Sequence, residues 1–454
     1  MTTAATIAAW LPGVRWFAGK QDATADVTIY DSVRLPGTAV ALALVDSATC
    51  GSRDRYVVPL VGDADAALSP DFAAWLAQTV FTEATLTADQ GVVRGHCIHA
   101  SCEPSFSPGT TAVAPLGGDA SNTSLLITSR QKQLAVKLFR RCREGIQPEV
   151  EVGEVLSRDT TWKGSPQLLG WLDYAPISGG SIVLATVHEF ATGCLSAWDH
   201  LGALVSAGGL AGPRRGAIID VVAALGRVTA DMHQALGRRA DLPAFAPLRP
   251  TAADAQAEAS RMAEHAASVF AHATSRLETL PTSVAADLRV VLARRDEIVA
   301  SLRRCAAIES DAMLVRVHGD YHLGQVLIRE PGPEAFVIDF EGEPGRSLEE
   351  RRRRTSVFKD IAGMCRSFDY LLRHAARNGS TPYRAADLEL LEATFLDAYR
   401  DVAHGHAWWP ADPTKADALL AVYKLDKAVY ELAYELAHRP DWVEVPLAAL
   451  MSSV

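Results

Sequence analysis

The spacing of apolar positions along this chain changes character twice. After a short N-terminal helix, brief apolar runs bounded by Gly, Pro and Asp predict strands over 26–30, 39–45 and 55–60. Strand-like patterning continues through 125–127, 134–139 and 181–190, interrupted by a helix that Pro148 opens at its first position. Farther on, apolar residues three and four apart predict helices over 215–236, 252–277, 284–302, 385–403 and 415–437, with Trp408-Trp409-Pro410 separating the last two. Inside this helical stretch, 326–328 and 335–340 read as two strands joined by a turn at Pro331-Gly332-Pro333. The pattern predicts an α+β chain in three regions: a cap-like subdomain over 1–100, a β-rich lobe over 101–190 and a mainly helical lobe over 191–454.

Length agrees with that division, because 454 residues exceed what one hydrophobic core usually supports. Hydrophobic residues make up 48 % of the chain, yet no run is long enough to span a bilayer and the first residues lack a secretion signal. A cytoplasmic protein is expected, with no membrane association and no obligate protein partner. The seven cysteines are scattered without a C-x-x-C pair, so neither a disulfide framework nor a zinc site is indicated. A net charge of −10 argues against nucleic-acid binding, and Arg351-Arg352-Arg353-Arg354, preceded by two glutamates, reads as a charged helical face.

Chemistry concentrates in His318-Gly319-Asp320-Tyr321-His322 and in Ile338-Asp339-Phe340. An aspartate in a tight turn suits the role of orienting an attacking hydroxyl and taking its proton, and Asp320 receives it. Magnesium prefers oxygen ligands, and Gln325 and Asp339 supply an amide oxygen and a carboxylate at one end of the expected hairpin. ATP and Mg2+ are therefore the expected co-substrate and cofactor. Lys137, in the apolar strand Leu134-Ala135-Val136-Lys137-Leu138-Phe139, is the expected phosphate-binding lysine, and burial there requires a partner carboxylate. Glu149, Glu151 and Glu154 all fall at the start of the helix after Pro148.

Upstream, Gly117-Gly118-Asp119-Ala120-Ser121-Asn122-Thr123 joins two strands with small residues whose backbone can approach phosphate, giving Ser121, Asn122 and Thr123 as phosphate-cover candidates. Backbone groups at His188, Glu189 and Phe190, where the last strand of the lobe ends, are expected to meet the adenine edge. On the C-terminal helix Tyr423, Lys427, Tyr430 and Tyr434 recur at helical spacing, with Asp426 and Glu431 on adjacent faces. Aromatic rings and carboxylates are what a sugar pocket uses, although packing of the tyrosines within the lobe explains the stripe equally well.

The motif around Asp320, with Gln325 and Ile338-Asp339-Phe340-Glu341-Gly342-Glu343-Pro344, resembles the aminoglycoside-phosphotransferase-like sugar kinases, and among them the actinobacterial maltokinase and glucosamine kinase group. Trp10-Leu11-Pro12, Arg15-Trp16-Phe17-Ala18-Gly19, Asp360-Ile361-Ala362-Gly363-Met364, Leu425-Asp426-Lys427-Ala428-Val429-Tyr430-Glu431 and Arg439-Pro440 extend the likeness over nearly the whole chain. The resemblance implies a bilobal protein-kinase-like fold, Glu151 as the partner of Lys137, and phosphate transfer from ATP to a small sugar. Tyr321 and the segment Thr192 to His200 depart from the maltokinase pattern. An amino sugar calls for a carboxylate near its ammonium group, which Asp199, Asp426 or Glu431 could supply, and His322 is expected to orient the Asp320 turn. Glucosamine 6-phosphorylation is the favoured expectation and maltose 1-phosphorylation the alternative. An aminoglycoside kinase and a non-catalytic binding protein stand further off.

Overall fold

The computed structural model describes residues 4–18, 26–48, 53–98, 106–117, 121–159, 161–308 and 310–452. It divides into two compact units: Met1–Thr160 with Pro166–Thr192 and Arg346–Glu350, and Thr161–Ser165 with Gly193–Gly345 and Arg351–Val454.

In the first unit, α1 (Ala4–Trp10) precedes an antiparallel meander of β1 (Asp26–Arg34), β2 (Ala41–Ala48), β3 (Arg53–Val61) and β4 (Ala64–Asp65). Helix α2 (Pro70–Phe81) follows; Ser69 caps it by accepting the Phe72 N–H at 3.1 Å, and Pro70 fits the first turn because that turn needs no N–H. The chain then enters a second sheet through β5 (Thr85–Thr87), β6 (Gly91–Cys97), β7 (Ala112–Pro115), β8 (Thr123–Thr128) and β9 (Gln133–Leu138). Strand β10 (Arg141–Cys142) turns back to pair with β3 of the first sheet. Helix α3 (Pro148–Arg158), β11 (Leu168–Pro176) and β12 (Ile182–Glu189) complete the unit. The second sheet runs β5-β6-β11-β12-β9-β8-β7, so it begins at Thr85, before the boundary expected near residue 100.

Alternation explains the core. Leu134, Val136 and Leu138 of β9 are buried together with Leu125, Ile127, Leu172, Leu184 and the Phe72, Leu76 and Val80 face of α2. Ile7, Leu11, Trp16 and Phe17 cover the opposite side of the first sheet, against Tyr56 and Val58.

The second unit opens with β13 (Cys194–Ser196) and α4 (Ala197–Ser206), followed by α5 (Arg215–Gly237), α6 (Ala252–Arg276), α7 (Thr282–Ala293) and α8 (Arg295–Arg303). The expected single helix over 284–302 is two, because the backbone at Arg294 leaves helical geometry at φ −105°, ψ 9°. Strands β14 (Val326–Arg329) and β15 (Glu334–Val337) form the expected hairpin, with β13 on the outer edge of β14. Helix α9 (Leu348–Arg351) falls on the boundary, all but its last residue in the Arg346–Glu350 segment of the first unit, and α10 (Phe358–Arg377), α11 (Ala385–Ala403), α12 (Pro413–His438) and α13 (Glu444–Ser452) complete the second. The arginine run is not a helical face. Helix α9 ends at Arg351, which pairs with Glu341 at 3.4 Å, while Arg354 donates to the Ala246 carbonyl at 2.9 Å.

Cys97, Cys142, Cys194, Cys305 and Cys365 are free thiols, and Cys50 and Cys102 lie outside the described residues. Among the described residues no helix is long and apolar enough to cross a membrane.

Candidate active site

Strand alternation in β9 turns Lys137 away from the Leu134, Val136 and Leu138 face. Its Nζ stands 3.5 Å from Oε2 of Glu149, the residue after Pro148 in the first turn of α3. Glu149 is 4 % exposed, and the ammonium offsets the cost of burying it. Its other oxygen lies 3.4 Å from His188 Nε2. The carboxylate against Lys137 is thus Glu149, where the resemblance had favoured Glu151. Two residues along a helix rotate the side chain by about 200°, so Glu151 leaves on another face, where it lines a shallow groove with Ile146, Gln147 and Glu154.

Gly118, Asp119 and Ala120 of the expected phosphate turn lie outside the described residues. Ser121 and Asn122 lead into β8, whose first residue, Thr123, sits opposite Leu138, with Ser124 opposite Lys137. The Thr123 hydroxyl, expected at the phosphates, instead accepts the Arg140 Nε–H at 2.7 Å. At the other end of the sheet His188 is in register with both Leu168 and Ala135, and the Glu189 N–H donates to the Gln167 carbonyl at 3.0 Å. The ladder therefore occupies two of the three residues expected at the adenine edge, and Phe190, beyond the strand, remains the candidate.

The second unit carries the turn of Asp320, and one buried carboxylate shapes it. Asp360, at 0 % exposure in the first turn of α10, accepts the main-chain N–H groups of His318 and Gly319, each at 2.8 Å, and His233 Nε2–H at 3.0 Å. Burial pushes the Asp360 carboxyl upward, but His233, His318 and the Gly319 N–H outweigh it and hold the group below the ordinary range. The Tyr399 hydroxyl fixes His233 from behind, 2.8 Å from Nδ1. Gly319 has φ +88°, a conformation open chiefly to glycine, and the turn needs it there.

Both histidines of the motif hold backbone. His318 donates from Nε2 to the Ile338 carbonyl at 2.9 Å, and its Nδ1 faces the Asp320 N–H at 3.3 Å, which links the turn to the residue before Asp339. His322 accepts the Gly324 N–H at 3.0 Å, and burial lowers its pKa, favouring the neutral ring that can accept. Tyr321 is buried and hydrogen-bonded to Thr229 at 2.8 Å. Beneath it, a Cβ on Gly363 of α10 would come 2.4 Å from the Tyr321 carbonyl, so only glycine lets helix and turn approach this closely.

Asp320 projects from this frame toward α12, where Lys427 Nζ lies 3.4 Å from its Oδ1 and 4.5 Å from the Tyr430 ring centre. Burial opposes the ammonium, but Asp320, Tyr430, Glu343 and Glu431 together hold Lys427 above the usual lysine range. Gln325 donates from Nε2 to Asp339 Oδ2 at 2.8 Å. In that contact the amide nitrogen faces the carboxylate, and a half-turn of the amide plane would bring its oxygen to the same side. Asp339 has φ +68°, an uncommon backbone state for a residue with a Cβ, which bends the chain sharply as it leaves the hairpin. An amide oxygen and a carboxylate side by side suit magnesium, which binds oxygen and retains several waters.

Several residues expected at the acceptor wall serve the scaffold. Glu431 accepts from Arg366 Nε and Nη2 at 2.9 and 2.8 Å in a buried cluster with Asp369. Asp426 faces Arg261 at 3.3 Å, and Tyr423 is buried. Asp199 closes the first turn of α4 by exchanging hydrogen bonds with Ser196 at 2.6 and 3.0 Å. The geometry gathers Lys427 and Tyr430 at Asp320 and leaves these others apart from it. The roles of Asp360, His233 and Glu343 were not read from the sequence; Asp360 was visible only as part of a resembling block.

Residues 112–342, more than half of the chain, match the family model described as the phosphotransferase enzyme family, APH. The chain belongs to that family. Residues 10–87 of this phosphotransferase match the maltokinase N-terminal cap domain. It is 28 % identical over 343 residues to a glucosamine kinase of Mycolicibacterium smegmatis, covering 74 % of this chain and 78 % of the relative. A glucosamine kinase of Streptacidiphilus jiangxiensis is 32 % identical over 274 residues, covering 58 % and 56 %. Among solved structures, a glucosamine kinase superposes with a TM-score of 0.65 at 25 % identity, over 99 % of this chain and 98 % of that one. The phosphotransferase accordingly has the APH-type kinase fold, with antiparallel sheets toward its N-terminus and helices toward its C-terminus, and is an ATP-dependent enzyme.

Proposed function

We propose that this phosphotransferase transfers the γ-phosphate of ATP to a hydroxyl of glucosamine, giving glucosamine 6-phosphate. The observation that carries the reading is the Asp360-held turn, which presents Asp320 beside Lys427 and Tyr430. Asp320 orients the acceptor hydroxyl and receives its proton, while Lys427 holds the carboxylate in place. Lys137, fixed by Glu149, binds phosphate oxygens, and Ser121 and Asn122 cover them. Gln325 and Asp339 would hold magnesium, which supplies positive charge against the transferring phosphate. Glucosamine as acceptor rests on the likeness to the two glucosamine kinases.

The cap-domain match favours a second reading, maltose to maltose 1-phosphate. The purified enzyme assayed for ATP consumption with glucosamine, maltose, glucose and an aminoglycoside separates the two, with the product position read by NMR. Glucosamine should give a kcat/KM at least about tenfold above the others; a preference for maltose overturns the first reading in favour of the second.

A further inference from the structure

Three residues after Lys137 the chain leaves the second sheet and enters the first as β10. Arg140 occupies the junction and is 1 % exposed, among the largest buried side chains of the molecule. Its contacts face two ways. Toward the first sheet, Nη2 donates to Asp65 Oδ2 at 2.7 Å, Nη1 lies 3.5 Å from the Val57 carbonyl, and the guanidinium sits 4.6 Å from the Trp16 ring centre. Its own carbonyl accepts the Val57 N–H at 2.9 Å. Toward the second sheet, Nε donates to Thr123 Oγ1 at 2.7 Å, at the first residue of β8, directly after Asn122.

A guanidinium is planar and presents its donors in a fixed fork. Displacing Asp65 therefore tilts the plane and moves the Nε–H that holds Thr123. Moreover, the only carboxylate hydrogen-bonded to Arg140 among the described residues is Asp65, so the buried charge is matched from the cap-matching segment, while its Nε serves the start of β8.

We propose that Arg140 is a positioning residue through which Trp16 and Asp65 set Ser121 and Asn122, immediately ahead of β8, and with them the affinity for nucleotide. The proposal rests on Ser121 and Asn122 covering the phosphates, and it predicts a specific energetic link. Asp65, in β4, and Thr123, in β8, act on ATP through one shared guanidinium, so their effects are not independent.

The test is steady-state kinetics on the full chain. Thr123→Val removes the hydroxyl at nearly constant shape and should raise KM for ATP about fivefold, leaving kcat within about twofold and KM for the acceptor unchanged. Thr123→Ser retains the hydroxyl and should restore the wild-type KM. Asp65→Asn should raise KM for ATP as well, and the Asp65→Asn, Thr123→Val double variant should be no worse than the poorer single one. Additive effects, or an unchanged KM for ATP in folded Thr123→Val, overturn the proposal. Should Asp65→Asn not fold, the Val and Ser variants of Thr123 decide it alone. A Ser121→Ala, Asn122→Ala variant separates the premise from the inference. If it leaves KM for ATP unchanged, the phosphate-cover reading fails and the inference with it; if it raises KM while Thr123→Val does not, only the role of Arg140 is lost.

Discussion

Lys427 Nζ stands 3.4 Å from Asp320 Oδ1, an ion pair that joins α12 to the turn bearing the expected base. Asp320→Asn should lower kcat by about 10²- to 10⁴-fold while ATP affinity, read by calorimetry, stays near wild type. Lys427→Met should lower kcat/KM for the acceptor by about 10²-fold, the equivalent of losing one charge-assisted hydrogen bond. Because Lys427 is held above its ordinary value of 10.5, its contribution to stability is complete below that value and is lost only as pH climbs through the raised one. The stability gap between wild type and Lys427→Met in urea unfolding should therefore stay constant from about pH 6 to 9; a gap that closes in that window would mean the ammonium loses its proton far earlier.

Glu149 and Glu151 make opposite predictions from neighbouring positions. Glu149→Gln removes the charge against Lys137 and should raise KM for ATP by about tenfold or more. Glu151→Gln should change it by less than about twofold. Equal effects, or the reverse order, would restore Glu151 as the partner.

Asp339 tests the metal assignment through its backbone. Asn tolerates a positive φ, so Asp339→Asn should fold like the wild type and lose only charge. Calorimetric titration of ATP with and without Mg2+ should show the metal-dependent part of the affinity nearly gone, and Gln325→Ala should reduce it less. Full retention in Asp339→Asn would exclude that carboxylate as the main ligand.

Asp360 links folding to pH. Its carboxyl lies below the ordinary value of 3.8, so its contribution is complete above that value and disappears as pH falls through the depressed one. Asp360→Asn leaves His318, Gly319 and His233 sharing a neutral acceptor and should cost about 3–5 kcal/mol. In denaturant titrations the difference from wild type should be flat from about pH 5 to 8 and shrink only below about pH 4. A difference already falling at pH 6 would mean that the Asp360 carboxyl is not the group that links folding to pH.

Strand alternation and helical spacing made most elements legible, since burial of one face writes a period into the sequence. Lys137 was singled out because a lysine among Leu134, Val136 and Leu138 demands a partner, and Asp320, Gln325 and Asp339 because their order along the chain suits one chemistry. What stayed hidden was rotation about a helix axis. Glu149 and Glu151 differ by about 200° around the axis of α3, and Glu431 and Lys427 share α12 while facing different neighbours. The grip of Asp360 on His318 and Gly319 spans 42 and 41 residues of sequence and leaves no periodic trace.

The buried clasp of Glu431 with Arg366 carries a practical lesson for redesign. One flank of α12 is committed to α10 through Glu431 and Glu435, the latter meeting the Tyr370 hydroxyl at 2.9 Å, whereas Tyr430 and the exposed Tyr434 stack at 6.5 Å on a flank free of such duties. Libraries that seek new acceptor preferences should diversify Tyr430 and Tyr434 and hold the two glutamates constant, so that selectivity can drift while the architecture beneath it stays put.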